Sequence, residues 1–153
     1  MLLSATVWGQ SIQERVKKFD KPKDYKVEYD KFQKYTTVEF TDVAWSTKKD
    51  SKHDGWYLTV IATISDSGNV SFDLYFRPSS RFLFTQATLR ILYDGELMEI
   101  PSRTIGYSAL YNLSPDQFQK IIASKSVEVQ ISIFEGKISD KTLIKMRNLA
   151  SLK

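Results

Sequence analysis

The residues with the clearest chemical potential lie in one polar stretch, Lys48 to Gly55, which contains the chain's single histidine, His53. Ser51 and Asp54 flank this histidine, so the stretch holds the hydroxyl, imidazole and carboxylate of a hydrolytic triad. Neighbours in sequence rarely reach the geometry that the triad mechanism needs. We therefore predict that His53 is a solvated loop side chain, and a small hydrolase using His53 or carboxylates is the alternative hypothesis.

The same stretch favours binding. It carries three lysines, and a tryptophan stands on either side of it. Cations flanked by indoles suit an anionic or sugar-bearing surface, through charge and stacking. Loops on a rigid β-scaffold often carry function. These considerations give a predicted binding set of Trp45, Lys48, Lys49, Lys52, His53 and Trp56.

Other site chemistry has little support in the sequence. The absence of cysteine excludes disulfides, thiol catalysis and cysteine-bound zinc, and one histidine excludes a multi-histidine metal site within one chain. The six glycines are scattered singly, without a phosphate-binding loop. Paired carboxylates could hydrolyse glycosides, but the strand carboxylates occupy positions predicted to face outward. These are Glu39, Asp73, Glu96, Glu99 and Glu128. No metal or cofactor is predicted.

Aromatic residues beside basic ones offer a further alternative, a binder of single-stranded nucleic acid. Tyr75 with Arg77, or Arg90 beside Leu92, could stack bases as oligonucleotide-binding barrels do. Aromatic residues also fill the cores and cross-strand pairs of β-proteins, and we favour that interpretation. Tyr75 and Arg77 join the predicted binding set, while nucleic acid is not the expected partner.

Strand periodicity dominates the middle of the chain. Apolar residues alternate with polar ones over residues 70–77 and 87–93, and residues 56–65 alternate between two apolar faces. Asp66 to Asn69 and Asp94-Gly95 are turn sequences that predict antiparallel hairpins. Further strands are predicted at 36–40, 104–111 and 127–133.

Two late helices complete the predicted fold. Ser114-Pro115 and Ser139-Asp140 are helix starts. The pattern predicts a mostly β protein of the α+β class. Its architecture would be an antiparallel β-sandwich or open barrel with two short helices in the C-terminal half. The last helix is expected to pack on the sheet and to cover its second face, where four apolar or aromatic residues lie: Tyr57, Ile61, Tyr75 and Leu92.

The chain is predicted to form one β-rich domain over residues 35–153, in keeping with its length. Residues 11–34 hold eight Lys and Arg against five acids and are expected to be a loosely held basic arm with a short amphipathic helix. Residues 1–10 are apolar and uncharged, like the remnant of a secretory signal. No other stretch approaches the roughly 18 apolar residues of a membrane span. A periplasmic or secreted location is predicted, with a cytoplasmic one as the alternative.

Three segments together resemble a family of small exported bacterial proteins of unknown function. They are Tyr29 to Phe32 with Thr36 to Val38, Leu92 to Gly95, and Ile122 to Glu128 with Met146 to Ala150. The resemblance spans about residues 28 to 150 and implies export, but it supplies no activity or catalytic residue. The sequence thus predicts a non-enzymatic exported β-domain that binds a protein or an envelope component.

Overall fold

The computed structural model describes residues 11–46, 55–78, 88–102, 106–132 and 134–152. Residues 11–16 form helix α1, and a 3₁₀ turn over Pro22–Asp24 leads into the first strand. The strands and remaining helices follow in the order β1 (Lys26–Asp30), β2 (Tyr35–Ser46), β3 (Gly55–Ser65), β4 (Val70–Pro78), β5 (Leu89–Tyr93), β6 (Glu96–Ile100), β7 (Ala109–Leu113), α2 (Pro115–Ala123), β8 (Val127–Ile131), β9 (Phe134–Lys137) and α3 (Asp140–Ala150).

The strands form two antiparallel sheets. The large sheet has the order β1-β2-β3-β4-β7, and the small sheet has the order β6-β5-β8-β9. The sheets adjoin where β9 lies beside β2 and where β6 lies beside β7, and their apolar faces contribute to one core. This confirms the predicted mostly β, α+β fold class, with two short helices in the C-terminal half.

Side-chain alternation explains which face of each strand is buried. Leu58 and Val60 of β3 and Phe72, Leu74 and Phe76 of β4 are almost fully buried, while the residues that alternate with them face outward. Successive side chains of a strand point to opposite sides of a sheet. The predicted β3–β4 hairpin is therefore confirmed together with its core face.

The predicted Asp94-Gly95 hairpin is also confirmed. Both residues have positive φ, 48° and 90°, as a two-residue type I′ turn requires. The Asp94 carboxylate accepts hydrogen bonds from the backbone N–H groups of Lys125 and Ser126, at 3.0 and 3.1 Å. The turn thus fastens the β5–β6 hairpin to the segment between α2 and β8.

Helices α2 and α3 begin where the sequence predicted. Ser114 forms a reciprocal capping box with Gln117, and the Ser139 hydroxyl accepts from the backbone N–H of Thr142. These side chains satisfy amide groups that have no partner within the first turn of a helix. The capping residues therefore fix both helix starts.

The position of α3 corrects one expectation. The helix packs on the sheet, with Leu143, Met146 and Leu149 buried, but it lies on the core face of the large sheet, against Phe40. The expected cover of the second face is wrong, because Tyr57 of that face keeps 36% exposure. Both faces of the strands carry apolar residues, and α3 packs on the face that has the longer run of them.

Residues 11–34 are packed rather than loosely held. Ile12 and Val16 of α1 are buried in the shared core, and β1 pairs with β2. The Arg15 guanidinium donates to the backbone carbonyls of Ser151 and Leu152, next to the last turn of α3. The predicted amphipathic helix is present, and its apolar residues anchor a segment that was expected to be loosely held.

Two strands differ in extent from their predictions. β2 extends beyond the predicted 36–40 because it pairs with β3 over almost its full length, with a register shift between Val43 and Trp45. β7 begins only at Ala109, since Gly106 takes a φ of 138° and Tyr107 is 58% exposed. Among the described helices, none is long and apolar enough to span a membrane.

Candidate functional site

The solvent side of the large sheet carries the clearest candidate binding surface. We define this outer face by Val43 of β2, Tyr57 and Ile61 of β3, and Tyr75 and Arg77 of β4. All five occupy positions that alternate with buried core residues, so their side chains point away from the helices. These five positions present aromatic and apolar groups and one cation, and the carboxylates of Glu39 and Asp73 lie on the same side as the register partners of Ile61.

A cation–π contact lies at one end of the outer face. Tyr57 pairs in register with Arg77, and the guanidinium carbon lies 5.2 Å from the centre of the tyrosine ring. Val43 pairs with Tyr57 on the other side and is 64% exposed. The Tyr75 hydroxyl donates to the Ser108 hydroxyl at 2.7 Å, which fixes the second ring. The result is a half-exposed aromatic surface held by cross-strand contacts.

The predicted binding residues separate into three groups. Tyr75 and Arg77 lie together on the outer face. Trp56 lies in the core at 1% exposure, with its indole 5.0 Å from the ring of Phe134. This corrects the expectation of a stacking surface there. Four others lie outside the described residues: Lys48, Lys49, Lys52 and His53. For Trp45 the structure describes the backbone but not the side chain.

The position of the polar loop can still be related to the outer face. Ser46 pairs with Gly55, so the connection over residues 47–54 leaves and re-enters the sheet there. Val43 and Tyr57 lie within three residues of those two ends. The lysine-rich connection therefore starts and finishes at the end of the outer face that carries the Tyr57–Arg77 contact.

The strand carboxylates do not form a catalytic pair in the described part of the chain. Asp73 accepts from the Asn112 amide at 2.9 Å, and Glu99 pairs with Arg90 at 2.8 Å. Glu96 accepts from the Tyr93 hydroxyl, and this hydrogen bond raises the pKa of the tyrosine. Asp73 lies on β4 of the large sheet and the two glutamates lie three residues apart on β6 of the small sheet, on opposite faces of that strand. Each has a local partner, so these three carboxyls do not form a facing acid–base pair.

One charged cluster is buried, and the sequence did not indicate it. The Lys145 ammonium of α3 lies 2.8 Å from an oxygen of Asp24 and 2.6 Å from an oxygen of Asp42. Its side chain is 8% exposed. The other oxygen of Asp42 accepts from the Thr142 hydroxyl at 3.0 Å. The cluster joins α3 to β2 and to the 3₁₀ turn before β1.

The protonation state of Lys145 shows what this cluster can do. Burial lowers the pKa of Lys145, but hydrogen bonds and charge attraction from Asp24 and Asp42 outweigh burial and raise it above its ordinary value. The hydrogen bond from Lys145 lowers the pKa of Asp24. A protonated amine has no lone pair for nucleophilic attack. The arrangement therefore acts as a structural ion cluster.

The described residues contain no preformed set of metal ligands. No group of three or more histidine, cysteine, aspartate or glutamate side chains is placed there to hold a metal ion. The Asp24–Lys145–Asp42 cluster has its cation already, in the form of the lysine. Asp24 and Asp42 are therefore engaged within the chain.

Comparisons with known proteins do not extend these observations. Protein-family models, curated proteins and solved structures gave no match to this chain. The resemblance to small exported bacterial proteins therefore stays a prediction, and the outer face of the large sheet is the candidate site on its geometry alone.

Proposed function

We propose that this chain is a non-enzymatic, exported binding domain that engages an anionic component of the cell envelope. The binding surface would be the outer face of the large sheet together with the lysine-rich connection between β2 and β3. The single observation that carries the proposal is the solvent-facing Tyr57–Arg77 contact at the end of the sheet from which that connection departs.

The cationic groups of this surface support an anionic partner. Arg77 is exposed, and the described residues give it an aromatic partner but no carboxylate. A guanidinium has five N–H donors, so stacking on one ring leaves its edge free for phosphate or carboxylate groups. Lys48, Lys49 and Lys52 add three cations in the adjoining connection. Half-exposed aromatic rings beside cations suit the boundary between lipid headgroups and water.

Export is proposed on the composition of residues 1–10 and on the resemblance to exported proteins. The apolar, uncharged start is like the end of a secretory signal. The partner would then be met outside the cytoplasm.

The direct test is sedimentation of the protein with vesicles of phosphatidylglycerol and phosphatidylcholine, compared with phosphatidylcholine alone. We expect binding only to the anionic vesicles, and replacing Lys48, Lys49 and Lys52 by alanine should weaken it at least tenfold. Each cation near an anionic surface contributes about 1 kcal/mol. Binding should fade as salt rises, because screening acts within about 10 Å at 0.1 M.

A matched control separates a specific surface from net charge. Replacing Lys18, Lys23 and Lys125, three exposed lysines elsewhere, removes the same charge. We expect that triple variant to bind almost as the parent does, and Tyr57→Ala to bind several-fold more weakly. Equal loss in both triple variants would contradict the proposal and indicate general attraction of a basic chain.

The hydrolase alternative can be tested on the same protein. His53→Ala should leave vesicle binding almost unchanged under the binding proposal. If the parent protein hydrolyses a chromogenic ester or glycoside, and His53→Ala abolishes that activity while the lysine variant keeps it, the enzyme interpretation replaces the binding one.

A further inference from the structure

We propose that the solvent side of the small sheet is a second binding surface, which takes a short amphipathic segment of a protein partner with apolar and basic residues. A groove of about 500 Å³ crosses this side of the sheet. It is separate from the outer face of the large sheet, so this inference does not depend on the proposed envelope binding.

The floor of the groove is an exposed leucine pair. Leu92 of β5 and Leu97 of β6 are directly opposite in register, with 41% and 61% exposure. Their strand neighbours Ile91, Ile100 and Leu89 are almost fully buried, so the two leucines lie on the opposite side from the core. Two adjacent leucines on a solvent-facing sheet leave apolar surface for a partner side chain.

The charges around the groove favour a basic partner. Glu99 neutralises Arg90 at 2.8 Å. Of the charges left on this side, Glu128, Glu135 and Lys137, two are acidic and one is basic. The described residues show no ion pair between Glu128 and Lys137, although they are opposite in register. The groove is therefore slightly acidic on a chain of net charge +4.

The size of the surface favours a segment over a second copy of this chain. Four strands at about 4.8 Å spacing and about four residues of length cover roughly 250 Å². A stable globular interface needs about 800 Å² per partner. The width of the four strands corresponds instead to about six residues of extended chain at about 3.3 Å each.

The test uses two fluorescein-labelled synthetic peptides, one alternating leucine with lysine and one alternating leucine with glutamate. Fluorescence anisotropy measures their binding to the full chain. We expect the lysine peptide to bind more tightly although the whole protein is positive, because the groove provides both the leucines and the carboxylates. Raising salt should weaken this preference.

Variants assign the binding to the groove. Leu97→Ser should weaken binding of the lysine peptide about tenfold, which is the loss of affinity expected for one leucine contact. Glu128→Gln should weaken it about threefold, as an exposed charge pair does. The matched controls are Ile144→Ser in α3 and Glu28→Gln on the large sheet, which remove an exposed apolar group and an exposed carboxylate outside the groove. Thermal melting should show that all four variants remain folded.

Three outcomes would overturn the proposal. The first is a parent protein that binds neither peptide at millimolar concentration. The second is equal binding of the lysine and glutamate peptides, or equal loss in Leu97→Ser and Ile144→Ser. The third is a dimer, seen by light scattering, that Leu97→Ser dissociates, since the groove would then be an interface between copies.

Discussion

Two cations of this protein lie against aromatic rings at similar distances, in opposite surroundings. The Lys145 ammonium is 5.5 Å from the ring of Phe40, and the Arg77 guanidinium is 5.2 Å from the ring of Tyr57. Lys145 is buried and bound by two carboxylates, whereas Arg77 is exposed and has no carboxylate partner in the described chain. The contact with a ring therefore does not decide the role of either cation. The role of each cation is decided by its solvation and by its other hydrogen-bond partners.

This difference gives the two regions different consequences. Removing one partner from a buried ion cluster leaves a charge without compensation, and such changes cost several kcal/mol. An exposed cation–π contact contributes about 0.5–1 kcal/mol, because water competes for the cation. We therefore expect the Lys145 region to control folding and the Arg77 region to control binding.

The largest effect is expected for Lys145→Ala. Asp42 is 11% exposed and would lose its cation, so the free energy of unfolding should fall by about 3–5 kcal/mol. Urea denaturation measures this loss. Lys141→Ala on the same helix, where the side chain is exposed, is the matched control and should change little. A loss below about 1 kcal/mol for Lys145→Ala would show that water can replace the ammonium beside Asp42.

Met146→Ala tests the packing next to that cluster. Met146 is 1% exposed on the core face of α3, and truncation should cost about 2–5 kcal/mol through lost burial and a cavity. Ile144→Ala, in the same helix but at 52% exposure, should cost much less and serves as the control. If both variants lose the same small amount, α3 is not firmly packed on the sheet.

Acid should weaken the cluster from the Asp24 side. Because Lys145 lowers the pKa of Asp24 below its ordinary value of 3.8, ionised Asp24 contributes stability above that pH. The contribution is lost as pH falls through the lower pKa of the folded state. The difference in urea midpoint between the parent and Asp24→Asn should therefore be present at pH 6 and shrink as pH falls below about 4. A difference independent of pH would mean that the carboxylate charge is not what stabilises the turn.

The smallest effect on folding is expected for Arg77→Ala. The free energy of unfolding should fall by less than about 1 kcal/mol, since the guanidinium is exposed. Binding to anionic vesicles should nevertheless weaken several-fold. Lys137→Ala, an exposed cation on the small sheet, is the control and should keep vesicle binding. A large loss of stability in Arg77→Ala would remove the contrast with Lys145.

Features of the fold that depend on residues close together in the sequence were predictable. Alternation along β3 and β4 determined their core faces, Asp94-Gly95 determined a hairpin, and Ser114 and Ser139 determined two helix starts. Each of these features depends on residues within a few positions of one another. Two of the five residues that define the outer face, Tyr75 and Arg77, were also in the predicted binding set because of their residue types.

Features that join distant residues were not predictable. Tyr57 was assigned to a face that the last helix was expected to cover, and its contact with Arg77 depends on the register between β3 and β4. The burial of Lys145 was not predictable, because helical spacing indicates which side chains share a face but not what that face meets. The Leu92–Leu97 pair is local by contrast, since the two-residue turn at Asp94-Gly95 sets the register that places these leucines opposite each other.

The sequence by itself determined the strand class, the core-facing stripes, two helix caps and the absence of cysteine chemistry. Tertiary structure decided the face on which α3 packs and the burial of Trp56. It also decided that Asp24 and Asp42, 18 residues apart in the chain, meet one lysine about 100 residues later. The physical reason is that periodicity records which side chains share a face, whereas burial and charge pairing depend on which faces meet.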